Sequence, residues 1–167
     1  PDWTGQDVSA ALVSTADPEK VAGYRLTLGG GLVDAAALVE ADAFAYGDSA
    51  KGRNAYREST LSFGFAELAR DFRATRTITL VNRGSSARTY AVEYEPGADS
   101  LPGTVSFDKS RVTVRAGGTA TLRVTLKVPA SDVPASVDAD LAQVSGHVVL
   151  TSGSETLTVG ALLVPRP

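Results

Sequence analysis

The 167-residue sequence contains no cysteine, a single histidine and a single tryptophan. The absence of cysteine removes disulfides, thiol catalysis and thiolate zinc sites together, and leaves the compartment open, because many secreted proteins manage without disulfides. With one histidine, His147, the supply of groups that transfer protons near neutral pH is small. His147 stands between Gly146 and Val148, and no Gly-x-Ser-x-Gly motif accompanies it. The pattern therefore gives it no nucleophile to serve. It reads as a solvated residue on the polar phase of a strand. Excess positive charge is missing too: the formal net charge is -3, which supplies no field to draw phosphate backbones, so nucleic acid is not an expected partner. No apolar run approaches the roughly 18 residues needed to span a bilayer. The opening PDWTGQDV lacks the charged-then-apolar order of a signal peptide, so membrane insertion is not expected and the chain reads as beginning inside a longer protein.

What is present is globular in composition, with 43% apolar and 21% charged residues, too hydrophobic for a disordered tail. Two periodicities divide it. Residues 1 to about 46 carry Ala, Leu and Val at helical spacing, whereas residues from 59 onward alternate apolar and polar. Thr4 and Asp7 form a near capping box, with Trp3 and Val8 placed for a hydrophobic staple, which predicts a helix from Gly5 to about Ala16 with Val8, Ala11, Leu12 and Thr15 on one face. Asp17-Pro18 stops it. A short extended piece, Tyr24 to Leu28, leads to Gly29-Gly30-Gly31, a tight turn, and Asp34 caps a second helix from Ala35 to about Ala43. The polar stretch GDSAKGRNAYRE, residues 47–58, reads as a linker.

From residue 59 the inward phase is occupied by Ile78 and Leu80; Tyr90, Val92 and Tyr94; Val112 and Val114; and Leu122, Val124, Leu126 and Val128, with threonines and charged residues between. That alternation belongs to an antiparallel sheet with one wet face. Turn signals such as Asn82-Arg83-Gly84, Pro96-Gly97 and Ala116-Gly117-Gly118 separate the runs. With Thr60 to Phe63, Thr104 to Phe107, Ser145 to Thr151 and Thr156 to Val164 added, the count reaches seven to eight strands, as in an immunoglobulin-like sandwich.

Candidate chemistry is sparse. Asp132, Asp138 and Asp140 lie in an acidic loop over residues 129–142 and could hold a structural Ca2+, but their spacing matches no EF-hand, and wet loops are commonly acidic. The triple glycine lacks the Gly-Lys-Ser/Thr of a phosphate loop, so a close-packing turn accounts for it better. No catalytic, cofactor-binding or metal residue is assigned, and no cofactor is expected. Trp3, Tyr24, Phe44 and Tyr46 are patterned for burial in a segment too short to build its own core, so they require a partner.

Pro1-Asp2-Trp3-Thr4, followed by Val8, Ala11-Leu12 and Thr15-Ala16, resembles the helix after the catalytic-serine helix of subtilisin-like serine proteases, Pro-x-Trp/Leu-Ser/Thr-Pro-x-x-Val/Ile-Lys/Arg-x-Ala-Leu-x-x-Thr-Ala. It departs from that pattern at Gly5, usually proline, and at Ser9, commonly basic. Gly29 to Ala36 is similar to the turn that closes their peptidase domain, and Leu38 stands where the family often has alanine. Leu80 to Gly84, Val105 to Phe107 and Val112 to Thr119 resemble the fibronectin type III-like domain that follows the peptidase domain in many large subtilases. The resemblance implies a remnant of peptidase domain over 1–46, the linker 47–58, and a fibronectin type III-like sandwich of about seven strands over 59–167. It also implies that the family's Asp, His and Ser motifs lie upstream of Pro1. On that reading the chain is a non-catalytic accessory region of a secreted or cell-surface endopeptidase, its partners the catalytic domain of the same polypeptide and protein substrates. The rival reading is a sandwich module that binds a cell surface, polysaccharide or protein.

Overall fold

A computed structural model describes residues 3–21, 30–48, 57–134 and 142–167. Among the described residues two α-helices, α1 (Gly5–Ser14) and α2 (Ala35–Glu40), precede ten strands: β1 (Ala43–Asp48), β2 (Arg57–Glu58), β3 (Thr60–Glu67), β4 (Phe72–Asn82), β5 (Arg88–Pro96), β6 (Thr104–Phe107), β7 (Arg111–Val114), β8 (Thr119–Val128), β9 (Val144–Ser152) and β10 (Glu155–Arg166). They form two five-stranded sheets, ordered β2-β1-β4-β8-β6 and β3-β10-β9-β5-β7. The expected β-sandwich with a short helical N-terminal segment is what the chain adopts. Its strand count exceeds the expected seven to eight by β1 and β2.

The alternation read from the sequence explains the core. Ile78, Leu80, Tyr90, Val112, Val114, Leu122, Val124, Leu126 and Val128 are all buried between the sheets, joined by Leu61, Val148, Leu150, Leu157, Val159 and Leu163. Their polar neighbours face outward, as the two-residue period of a strand requires. Thr75 and Thr125, partners across β4 and β8, join hydroxyls at 2.8 Å on that outer face, and Thr89 and Thr113 do the same across β5 and β7.

Two features depart from the expected plan. β3 runs parallel to β10, and the register slips between Leu162 and Leu163. Gly64, at φ +81°, lies at this bulge, and a bulge turns the following side chain to the other face. Leu61 and Phe63 consequently point into the core, while Phe65 is 62% exposed. The second departure is β1, which pairs along its whole length with β4, from Ala43 opposite Asn82 to Asp48 opposite Thr77. The expected helix over 35–43 ends at Glu40 instead, and the expected boundary after residue 46 cuts through this strand. Alternation within β1 supplies the reason: Ala43 and Ala45 join the sandwich core, and Phe44 faces the opposite side. Most of the expected linker, and the extended piece Tyr24 to Leu28, lie outside the described residues.

Turns hold by local chemistry. The buried Asn82 donates from its amide nitrogen to the carbonyls of Ser86 (2.8 Å) and Val114 (3.2 Å) and accepts from the Gly84 N–H (2.9 Å). One side chain thus closes the Asn82-Arg83-Gly84 turn and ties it to β7.

Candidate functional site: the docked N-terminal segment

Helix α1 starts as its sequence dictates. Thr4 caps it, its hydroxyl accepting from the Asp7 N–H (3.2 Å) while Asp7 accepts from the Thr4 N–H (3.0 Å), a reciprocal box that satisfies two otherwise orphaned donors. The helix lies on the sandwich through Ala10 and Ala11, which pack with Phe44 and Val81 in a second hydrophobic cluster that Trp3, Leu38 and Tyr46 border. Trp3 contacts Phe44 at 5.4 Å between ring centres. Trp3 and α1 thus meet Phe44, Tyr46 and Val81 on the outer face of β1 and β4, whereas Tyr24 lies outside the described residues.

The face that α1 buries differs from the expected one. Asp7, Ala10, Ala11 and Ser14 are inward, and Val8 is exposed. A carboxylate occupies the buried position because two guanidinium groups meet it there: Arg57 pairs with one Asp7 oxygen, and Arg83 approaches the other at 3.3 Å. Arg57 also lies over the Tyr46 ring at 4.9 Å. Burial alone would raise the Asp7 carboxyl, but the Thr4 backbone N–H and the Arg57 side chain outweigh it and hold the carboxyl down at about 2. At its other end α1 reaches the edge of β1 that faces away from β4, where the Ala45 N–H donates to the Ser14 hydroxyl (3.3 Å).

Beyond α1 the chain folds back on itself. Asp17 and Leu32 exchange two backbone hydrogen bonds, at 2.9 and 3.0 Å. Gly31 makes this possible: at φ +112° a side chain would be strained, and its Cβ would lie 2.6 Å from the Asp17 peptide. The glycine turn thus serves close backbone approach, as expected. Asp34 caps α2 by accepting from the Ala37 N–H (2.9 Å) and receives the Lys20 ammonium at 2.9 Å.

α2 buries none of its residues. Val39 is 84% exposed, and Leu32, Val33 and Val8 are exposed as well. Among the described residues, four of the five exposed large apolar side chains belong to this N-terminal segment; Phe65 is the fifth.

His147 is not the solvated residue its strand phase suggested. It is buried, 8% exposed, on the outer face of β9, and it lines a cavity together with Pro18, Glu19 and Val21 of the N-terminal segment. Burial lowers its pKa. Period-two reasoning assigned it the right face; the segment covering that face was the information a strand pattern does not carry. Of the acidic-loop residues, Asp132 sits in a 3-10 turn, Ala130–Asp132, and its carboxylate accepts from the Ser131 hydroxyl. Asp138 and Asp140 lie outside the described residues. No group of three or more His, Cys, Asp or Glu side chains suited to a metal occurs among the described residues, and no helix there is long and apolar enough to cross a membrane.

No protein-family model matches the chain. No curated protein matches it either. Among solved structures, a FixG-related protein from Vibrio parahaemolyticus aligns with TM-score 0.48 and 17% identity over 76% of this chain and 99% of that one. A PapD-like domain of human CEP192 gives 0.45 and 10%, over 74% and 84%. The secreted serine protease VesC from Vibrio cholerae gives 0.42 and 8%, over 60% of this chain and 21% of its own length.

Proposed function

We propose that the chain is a non-catalytic accessory module of a secreted subtilisin-like serine endopeptidase, in which the N-terminal segment seats the sandwich against the catalytic domain. The observation that carries this reading is the partial burial of the segment. Ala10, Ala11, Trp3 and Leu38 are packed on Phe44 and Val81. Val8, Leu32, Val33 and Val39 of the same segment are exposed to solvent, apolar side chains concentrated in one segment as at an interaction site. The resemblance of residues 1 to 40 to the end of a subtilase peptidase domain supplies the partner: the catalytic domain of the same polypeptide, which holds the Asp, His and Ser of the reaction. In this role the sandwich stabilises that domain and helps to position protein substrates.

The test is to express the chain joined to the polypeptide encoded immediately before it, and to measure casein hydrolysis and backbone hydrogen exchange in α2. The expected result is an active endopeptidase in which α2 amides exchange more slowly than in the chain alone, and in which Val39→Asp lowers thermal stability. An extended protein without peptidase activity, or one in which α2 exchanges as before, overturns the reading.

A further inference from the structure

Beyond the footprint of α1, the outer face of the first sheet is open. On β4, β8 and β6 the core takes Ile78, Leu80, Leu122, Val124 and Leu126, with Val105 and Phe107 packed against it, so the alternate side chains stand on the outer face. The register sets them in rows. Thr104, Lys127 and Arg73 lie side by side across β6, β8 and β4, and Ser106, Thr125 and Thr75 form the next row. Arg123 follows, opposite Thr77. Along β4 from Arg73 to Thr79, and on the strands beside it, this face holds hydroxyls and cations; no carboxylate or apolar side chain of the three strands belongs to it there.

Two features give this face a ligand chemistry. The first is a pair of like charges. Arg73 and Lys127 are directly opposed and both exposed, an arrangement that costs stability in a strand pair, and neither joins a salt bridge or hydrogen bond among the described residues. The carboxylates at the two ends of the face are engaged elsewhere. Asp71 accepts from the Ala130 N–H at 3.0 Å, and Asp108 accepts from the Arg123 N–H at 2.9 Å and meets the Arg123 guanidinium at 3.4 Å. A local rule broken without internal compensation marks where a functional surface is to be sought. The second feature is the row of hydroxyls beside that pair. Thr75 and Thr125 share one hydrogen bond at 2.8 Å, which leaves an O–H and free lone pairs on the two oxygens, and the exposed Ser106 lies next to them.

We propose that this face binds an acidic polysaccharide, with Arg73 and Lys127 pairing with its carboxylate or sulfate groups and the hydroxyl row meeting its hydroxyls. Hydrogen bonds from guanidinium or ammonium to an anionic oxygen are the stronger kind, and an anion placed between the two cations removes their repulsion. Arg123, four positions from Lys127 along β8, lies roughly 14 Å away, so a polymer that repeats its anion reaches both ends of the face, where a lone phosphate reaches one. A lipid surface is a poorer match, because the face offers no apolar side chain to enter the acyl boundary. A protein partner is poorer for a related reason, since interface cores are apolar and depleted in charge. This inference goes beyond the peptidase reading and does not rest on it, because every residue it uses belongs to the sandwich.

The test is titration calorimetry of the whole chain at low salt with a heparin-derived oligosaccharide, oligogalacturonate, neutral maltohexaose, oligothymidylate, and vesicles of phosphatidylcholine containing phosphatidylserine. Saturable binding of an acidic oligosaccharide is expected, weakened by added salt, with maltohexaose silent and the nucleotide and vesicles weaker. Preference for the sulfated or the carboxylated sugar identifies the anion. Arg73→Gln and Lys127→Gln should each weaken binding about tenfold, whereas Arg111→Gln, which changes an exposed cation on β7 of the second sheet, should leave it unchanged. Each of the first two variants removes one of two opposed cations, so both should melt no lower than the wild-type chain, which separates lost binding from lost folding. Four results would each overturn the proposal: no binding of either acidic sugar at millimolar concentration, binding unchanged in both face variants, an equal loss in Arg111→Gln, or tighter binding of maltohexaose, the oligothymidylate or the vesicles.

Discussion

Asp7 shows how a single side chain can hold two parts of a molecule together. It belongs to α1, yet its carboxylate is met by Arg57 from β2 and by Arg83 from the turn after β4. Replacing it with asparagine keeps a capping group but leaves two guanidinium groups facing a neutral amide, so Asp7→Asn should cost about 2 kcal/mol in urea unfolding. The contribution is also pH-dependent, with a definite sign. The folded carboxyl titrates at about 2, below its ordinary value of 3.8, so on acidification the unfolded chain takes up the proton first. The stabilisation is present above pH 3.8 and is lost as the pH falls toward 2. The stability difference between the wild-type chain and Asp7→Asn should accordingly shrink across that window, and urea titrations at stepped pH would show it; a difference that stays constant down to pH 2 would refute the assignment. The box itself was legible in the sequence, since Thr4 and Asp7 have the right spacing. The burial of Asp7 was not, because its partners lie about 50 and 76 positions away and nothing local announces them.

At the scale of elements the sandwich was legible and its attachment was not. Long alternating runs such as β8 declare themselves, because from Thr121 to Val128 each inward position is Leu or Val and each outward one is Thr, Arg or Lys. β1 does not: Ala-Phe-Ala-Tyr follows a helical stretch, alanine suits a helix as well as a strand, and the six residues straddle the expected junction between the helical segment and the linker. Its pairing with β4 changes the expectation for truncation. Removing residues 1–41 should leave a sandwich that still melts cooperatively, at a lower temperature, because Phe44 and Val81 lose the cover of α1. Removing residues 1–48 takes away β1, uncovers an edge of β4 and strips Ala43 and Ala45 from the core, and that protein should aggregate or lose cooperative melting. Circular dichroism melts of the two would decide the matter, and equal behaviour would show β1 to be dispensable. Phe44→Ala offers a finer probe: a fully buried ring lost beneath α1 should cost about 3–4 kcal/mol, with α1 amides deprotected more than those of β8.

For the molecule as a whole, the sequence order of the strands and their spatial order disagree most in the second sheet. β3, from the first half of the chain, finds its hydrogen-bonding partner in β10, which spans Glu155–Arg166, and β10 also pairs with β9 on its other side. Contacts of such long sequence separation slow folding, since loop closure must precede the reward. Refolding from urea should therefore take milliseconds to seconds, slower than for a helical protein of equal size, and a stopped-flow phase in microseconds would contradict this. The same arrangement has a consequence during synthesis. Until the ribosome has released Arg166, β3 has no neighbour in its sheet, and the apolar Leu61 and Phe63 wait uncovered on a nascent chain. Leu61 and Phe63 are thus open to chaperones, or to other copies of the chain, for as long as the stretch from β3 to β10 takes to be translated, and their protection rests on the arrival of β10.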